Sequence, residues 1–250
     1  MTKCGIGNGK WKTENHQHAF FECCHSERKS YICTPIGESK LLIKNGMKTS
    51  IRFYKDHEVR GNDCPDQSAD SEKIIDEKSK QIAYTLIESN LVADKDVGTV
   101  KALQQIHAYI FGGLYDFAGQ IRTKTISKGN TLFCLAEYLP DNLKTIEKMP
   151  ETTFDEIVDK YVEMNVAHPF MEGNGRSTRI WLDLIFKKRL GLCVDWSRIN
   201  KNDYLNAMIE SHLDSSKIRT LLKQSLTDRI DDREIFMKGI DYSYYYEQVE

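Results

Sequence analysis

The sequence predicts an all-α fold with one short β-hairpin, and three observations carry that expectation. From Ser71 onward, apolar residues recur at helical spacing in segment after segment. Between Gly119 and Leu135 the rhythm stops, and Gly129-Asn130 stands between Thr125-Ile126 and Leu132-Phe133, a turn pair flanked by strand formers. Over 250 residues, 40% hydrophobic content against 29% charged suits one ordinary domain with an appendage.

The elements follow in order. Residues 1–70 hold no sustained period of 2 or 3.6 and read as a poorly patterned extension, loop or disorder. Only Ser50 to Arg60 alternates like a strand. Ile74, Ile75, Ile82, Leu86 and Ile87 then mark a helix after an Asp70-Ser71 cap, closing near Asn90. Val100, Leu103, Ile106, His107 and Ile110 mark a second, ended by Gly112-Gly113. After the hairpin, helices are expected at roughly 137–148, 153–166, 176–190, 201–212, 215–227 and 231–247. Asp232 caps the last of these and Gly191 closes the longest.

Several functions are excluded at this level. Lys plus Arg is 35 and Asp plus Glu is 37, a net charge of −2, which gives no polybasic surface for nucleic acid. No apolar run approaches 18 residues, mean hydropathy is −0.52, and the N-terminus lacks a leader's apolar stretch. The expectation is a cytoplasmic chain with no membrane and no direct nucleic-acid partner. Seven cysteines, five of them in the first 64 residues (Cys4, Cys23, Cys24, Cys33, Cys64), form no CxxC, so neither a disulfide framework nor a zinc site is expected. GIGNGK at Gly5 to Lys10 has no strand before it and no apolar helix after it, so it is not read as a phosphate loop.

One stretch carries chemistry: His168-Pro169-Phe170-Met171-Glu172-Gly173-Asn174-Gly175-Arg176-Ser177-Thr178-Arg179, a loop feeding a helix N-terminus. Pro169 ends the preceding helix. Gly173 and Gly175 let a ligand approach the backbone, whose N–H groups form an anion nest with the helix end. Arg176 and Arg179 lie three apart on one face, which suits more than one phosphate. Glu172 opposes phosphate unless a cation bridges them, and Mg²⁺ prefers few carboxylates plus phosphate oxygens. His168 is suited to accept a proton as a general base, and Asn174 to donate to developing negative charge. Singly, each residue has a bland reading: a satisfied loop histidine, a common turn, a solvated helix face. Twelve residues holding all of them favour transfer from a Mg²⁺-bound nucleoside polyphosphate to a hydroxyl.

The run HPFMEGNGRSTR resembles the signature of Fic-domain proteins, H-P-F-x-D/E-G-N-G-R-x-x-R, at every specified position. YDFAGQIR at Tyr115 to Arg122 and ISKG at Ile126 to Gly129 are similar to that family's pre-flap and flap, and the likeness covers roughly residues 71–250. The resemblance implies an all-helical domain with a hairpin flap, and AMPylation: AMP passes from ATP to a Tyr, Thr or Ser hydroxyl of a target protein, releasing pyrophosphate. It implies His168 as the base, Glu172 as the Mg²⁺ ligand, Gly173, Asn174 and Gly175 as the anion hole, Arg176 on the phosphates and Arg179 on the γ-phosphate. Ser177 and Thr178 fall within that nucleotide site. Lys128, the approach Asn165, Val166 and Ala167, and Leu205 beside adenine are implied as further contacts.

The C-terminus reads Ser243-Tyr244-Tyr245-Tyr246-Glu247-Gln248, with Ser243 and Glu247 four apart on one helix face. This is similar to the inhibitory motif S/T-x-x-x-E-G/N of compact Fic proteins, with Gln248 departing from it. The likeness implies that Glu247 pairs with Arg179 on a helix spanning 231–249 and competes with phosphate. Tyr244 is the expected self-modification site. Alternatives stay open: removal of AMP from protein, another nucleotide, or an idle regulatory binding module. The family suggests a type II topoisomerase subunit as target and a homo-oligomer as assembly.

Overall fold

The computed structural model describes residues 21–25 and 28–32, and residues 69–248 apart from 90 and 130. Within them the chain is helical, as the pattern predicted, with three two-stranded antiparallel ribbons. The first ribbon, β1 (Phe21–His25) with β2 (Arg28–Ile32), lies where the sequence read as loop. Phe, Tyr and Ile supply its β-formers, but neither strand alternates cleanly enough to register. The alternation at 50–60 and the cysteines at 4, 33 and 64 lie outside the described residues.

Helix α1 runs Ala69–Tyr84 and continues as a tighter turn, Thr85–Glu88. It starts before the expected Asp70-Ser71 cap, whose residues fill its first turn, where acidic groups complement the helix dipole. Helix α2 (Val100–Phe111) begins where Thr99 Oγ1 accepts the Ala102 N–H at 3.1 Å. The flap is β3 (Ser127–Lys128) with β4 (Thr131–Leu132). Helix α3 (Leu139–Glu147) carries Pro140 in its first turn. Helix α4 (Phe154–Ala167) opens on a capping box between Thr153 and Glu156.

Helix α5 (Asn174–Leu190) starts two residues earlier than the pattern suggested and closes on Gly191 at φ 64°. Helices α6 (Lys201–Glu210) and α7 (Ser216–Ser225) follow. The helix expected to reach 227 stops at 225, because Leu226–Thr227 (β6) pairs with Cys193–Val194 (β5). Two-residue strands leave no periodic trace, so this ribbon was invisible to pattern reading. The last helix, α8 (Arg233–Tyr245), is capped by Asp232 as expected.

Helix α5 is the centre of the domain, packed by α2, α4 and α8. Ile180, Trp181, Leu182, Ile185 and Phe186 are all buried, giving an apolar surface that nearly encircles it. Its first turns bury polar groups instead: Asn174, Arg176, Ser177, Thr178 and Arg179. Buried polar groups need partners, and those partners define the site. Among the described residues no helix is long and apolar enough to cross a membrane.

Candidate functional site

Helix α4 ends on His168, which takes the left-handed conformation at φ 47° and is the one non-glycine residue at positive φ among those described. Such a backbone costs on the order of 1 kcal/mol and persists only when its surroundings fix it. They do. The ring stacks on Phe133, centroids 3.6 Å apart and 11° from parallel, and Nδ1 lies 3.0 Å from the Asn165 carbonyl. A carbonyl only accepts, so Nδ1 bears the hydrogen and Nε2 keeps its lone pair. Desolvation outweighs the neighbouring carboxylates and lowers the ring's pKa to about 4, so it stays neutral at pH 7.

Two residues given no role by the sequence brace this loop. Arg122 is buried, and its guanidinium donates to four carbonyls: His168 (2.7 Å), Lys124 (2.7 Å), Ala167 (3.0 Å) and Cys134. His107 is fully buried in α2; its Nδ1 accepts the Gly119 N–H at 2.8 Å, so its Nε2–H donates to the Glu172 carbonyl at 2.9 Å. Burial holds its pKa down to about 4. The signal for Arg122 was its place in YDFAGQIR; His107 sat among apolar helix positions and gave none.

The turn into α5 requires glycine. Gly173 sits at φ 78°, and a methyl there would fall 2.4 Å from the Phe111 ring. Asn174, expected to donate to phosphate, spends its side chain on the loop: Oδ1 accepts the Phe170 N–H and Nδ2 donates to the Phe170 carbonyl, both at 2.8 Å. Its backbone N–H remains for an anion. Ser177 N–H is the first along α5 to bond a helix carbonyl, Gly173 O, so the N–H groups of residues 174–176 point out of the helix end.

The two arginines are gripped. Arg176 sends Nη1 to Asp76 of α1 and Nη2 to Glu172 (2.9 Å), between the rings of Phe111 and Tyr244. Both of Glu172's bonds, from Arg176 and from the Gly173 N–H, fall on Oε1. Arg179 donates Nε to Ser243 Oγ (2.8 Å), Nη2 to Ser243 O and Glu247 Oε1 (both 2.7 Å), and Nη1 to Tyr204 (3.2 Å). The other oxygen of Glu247 lies 3.3 Å from Lys128 Nζ in the flap. Partial burial pushes the Glu247 carboxyl upward, but Arg179 and Lys128 override it and hold it at about 2.

Glu247 lies two residues past the end of α8 and reaches over the α5 N-terminus: a methyl on Gly175 would fall 2.2 Å from its Oε1. The carboxylate thus stands in the nest. Gln248, the departure from the inhibitory pattern, is held through its carbonyl by Lys201 Nζ at 2.6 Å.

The structure thus gathers His168, Glu172, Gly173, Gly175, Arg179, Lys128, Ser243 and Glu247 around one helix end. It places others differently. The Ser177 and Thr178 hydroxyls bond back to Gly173 O and Asn174 O and are not aimed outward. Asn165, Val166 and Ala167 contribute carbonyls that fix His168, Cys134 N–H and Arg122. Leu205 is partly buried against the core. Tyr244, the expected self-modification site, is buried with its hydroxyl 2.9 Å from Ser79 Oγ while the tail is docked, whereas Tyr245 is 44% exposed.

Residues 98–186 match a family described as Fic/DOC family. The chain is 29% identical over 147 residues to the protein adenylyltransferase VbhT of Bartonella schoenbuchensis, covering 53% of this chain and 30% of that protein. It is 30% identical over 130 residues to a probable protein adenylyltransferase, y4lH, of Sinorhizobium fredii, covering 47% of this chain and 66% of that protein. In fold it is similar to BepC, a VirB-translocated effector of Bartonella tribocorum with bound AMPPNP. There the TM-score is 0.53 at 19% identity, over 63% of this chain and 87% of that one. The N-terminal Fic domain of another Bartonella effector gives 0.56 at 17% identity, over 63% and 82%.

Proposed function

The chain carries a Fic domain of the Fic/DOC family at residues 98–186, and from that we propose a protein adenylyltransferase that holds itself inactive. The observation that carries the reading is the Glu247 carboxylate bonded to Arg179 at the α5 N-terminus, where an anionic substrate would bind.

The residues divide the work. ATP phosphates meet the backbone N–H groups of 174–176 and the guanidinium of Arg179 once Glu247 leaves. His168 Nε2 takes the proton from a Tyr, Thr or Ser hydroxyl of the target. That oxygen attacks the α-phosphorus, a P–O bond forms, and the bond to pyrophosphate breaks. Asn174 keeps Phe170 and the loop in register through the transfer. Glu172 fits a magnesium ion: it is a single carboxylate, half exposed at the loop, with both protein bonds on one oxygen. Such an ion, when bound, neutralises phosphate charge. A type II topoisomerase subunit is the first acceptor to assay, and a homo-oligomer the expected assembly.

Transfer of labelled AMP from α-labelled ATP to protein in a lysate tests the reading. Glu247→Gly is expected to raise transfer roughly ten- to a hundredfold, the scale of one lost charge-assisted pair. Equal and low transfer by both chains would overturn it. His168→Ala is expected to abolish transfer while ATP still binds the Glu247→Gly background, since the base acts on the incoming hydroxyl.

A further inference from the structure

Between α5 and α8 lies a cavity of about 460 Å³ that meets the nucleotide site only at Arg179 and Ser243. Ile180 and Leu184 of α5, Phe236 and Ile240 of α8, Ile106 of α2 and Trp196 form its apolar walls. It opens to solvent on one side, as a ligand cleft does. Its volume falls within the range of small-molecule sites, about 300–1,000 Å³.

The polar groups around it are already matched. At the rim, Lys187 pairs with Asp231, Lys188 with Asp94 and Arg229 with Asp232. Inside, the Asp183 carboxyl accepts the Val194 N–H at 3.0 Å and Trp196 Nε1–H at 2.8 Å. A charged ligand would find no unpaired counter-charge among these groups and would lose its hydration. Arg179 and Ser243, the pair that anchors the tail, also line the cavity.

We propose that this cavity binds an uncharged, mostly apolar small molecule, and that its occupant tightens the hold of α8 on α5. A ligand touching both helices binds the docked arrangement better than the released one, and by linkage it favours docking. This coupling rests on the reading of Glu247 as an inhibitor; the binding itself does not.

The test is titration of the full chain with N-phenyl-1-naphthylamine, a neutral fluorophore that brightens in apolar surroundings. One saturable site per chain is expected, lost in Leu184→Trp, which fills the cavity from its wall. Ile87→Trp, another lining position, serves if Leu184→Trp fails to fold. Affinity is expected to fall at least threefold in Glu247→Gly, where docking is loosened. Absence of a saturable site, or equal binding by the filled variants, overturns the proposal. Equal affinity in Glu247→Gly overturns its coupling half. AMP transfer unchanged by Glu247→Gly, with binding intact, would instead count against the inhibitory reading alone.

Discussion

Arg176 and Arg179 lie less than one turn apart on α5, both nearly inaccessible, and they are held in opposite ways. The partners of Arg176 are distributed through the domain: Asp76 from α1, Glu172 from the loop, Phe111 from α2 and a ring of Tyr244. Those of Arg179 come mostly from the last elements of the chain. Ser243, Glu247 and the ring of Tyr246, 5.4 Å away, all belong to the C-terminal segment, and Tyr204 alone belongs elsewhere. One departure of that segment frees Arg179 and leaves most of the cage around Arg176 standing. The first arginine is built into the fold; the second is held mainly by the tail.

The contrast can be broken at either arginine. Asp76→Ala is expected to have the larger effect on stability of the two cages, about 2 kcal/mol, because the buried guanidinium loses one of two carboxylates and Asp76 is only partly exposed. A denaturant midpoint would read it, and Glu247→Gly should move that midpoint by less than half as much. Equal shifts would mean that both arginines are structural.

Acid sharpens the comparison next. His107 is fully buried with its pKa lowered to about 4. The unfolded chain binds that proton at about 6.5. Between these values the unfolded state holds more protons, so stability rises with pH across this window and is lost as pH falls toward 4. One such group is worth on the order of 3 kcal/mol, and His107→Gln should flatten the unfolding profile there. For the reaction, kcat/KM of Glu247→Gly should keep most of its value at pH 5.5, because His168 also titrates near 4. A half-maximal rate near pH 6.5 would show a solvated imidazole and sink the assignment.

The smallest effect belongs to Lys128. Its side chain is 70% exposed and its contact with Glu247 is long, 3.3 Å. Exposed pairs contribute little. Lys128→Ala should raise basal transfer only about twofold; a rise matching that of Glu247→Gly would make the flap, not Arg179, the principal anchor.

What the sequence disclosed follows from distance along the chain. The His168–Arg179 loop is twelve contiguous residues, and Ser243 with Glu247 is a helical interval, so both were readable. Asp76 meets Arg176 across 100 positions and Lys128 meets Glu247 across 119, separations that no periodicity encodes. The packing of the tyrosines was also readable. Ile240, Ser243 and Tyr244 form an inward stripe at i, i+3 and i+4, which turns Tyr244 into the core and leaves Tyr245 outside.

The guanidinium of Arg122 ties carbonyls on both sides of the flap, Lys124 and Cys134, to those of Ala167 and His168. Hairpin and imidazole are thereby mounted on a common keystone. Under the proposed transfer, a protein that grasps the hairpin from outside also fixes where the imidazole stands, so alignment of an incoming side chain is settled at the moment of capture.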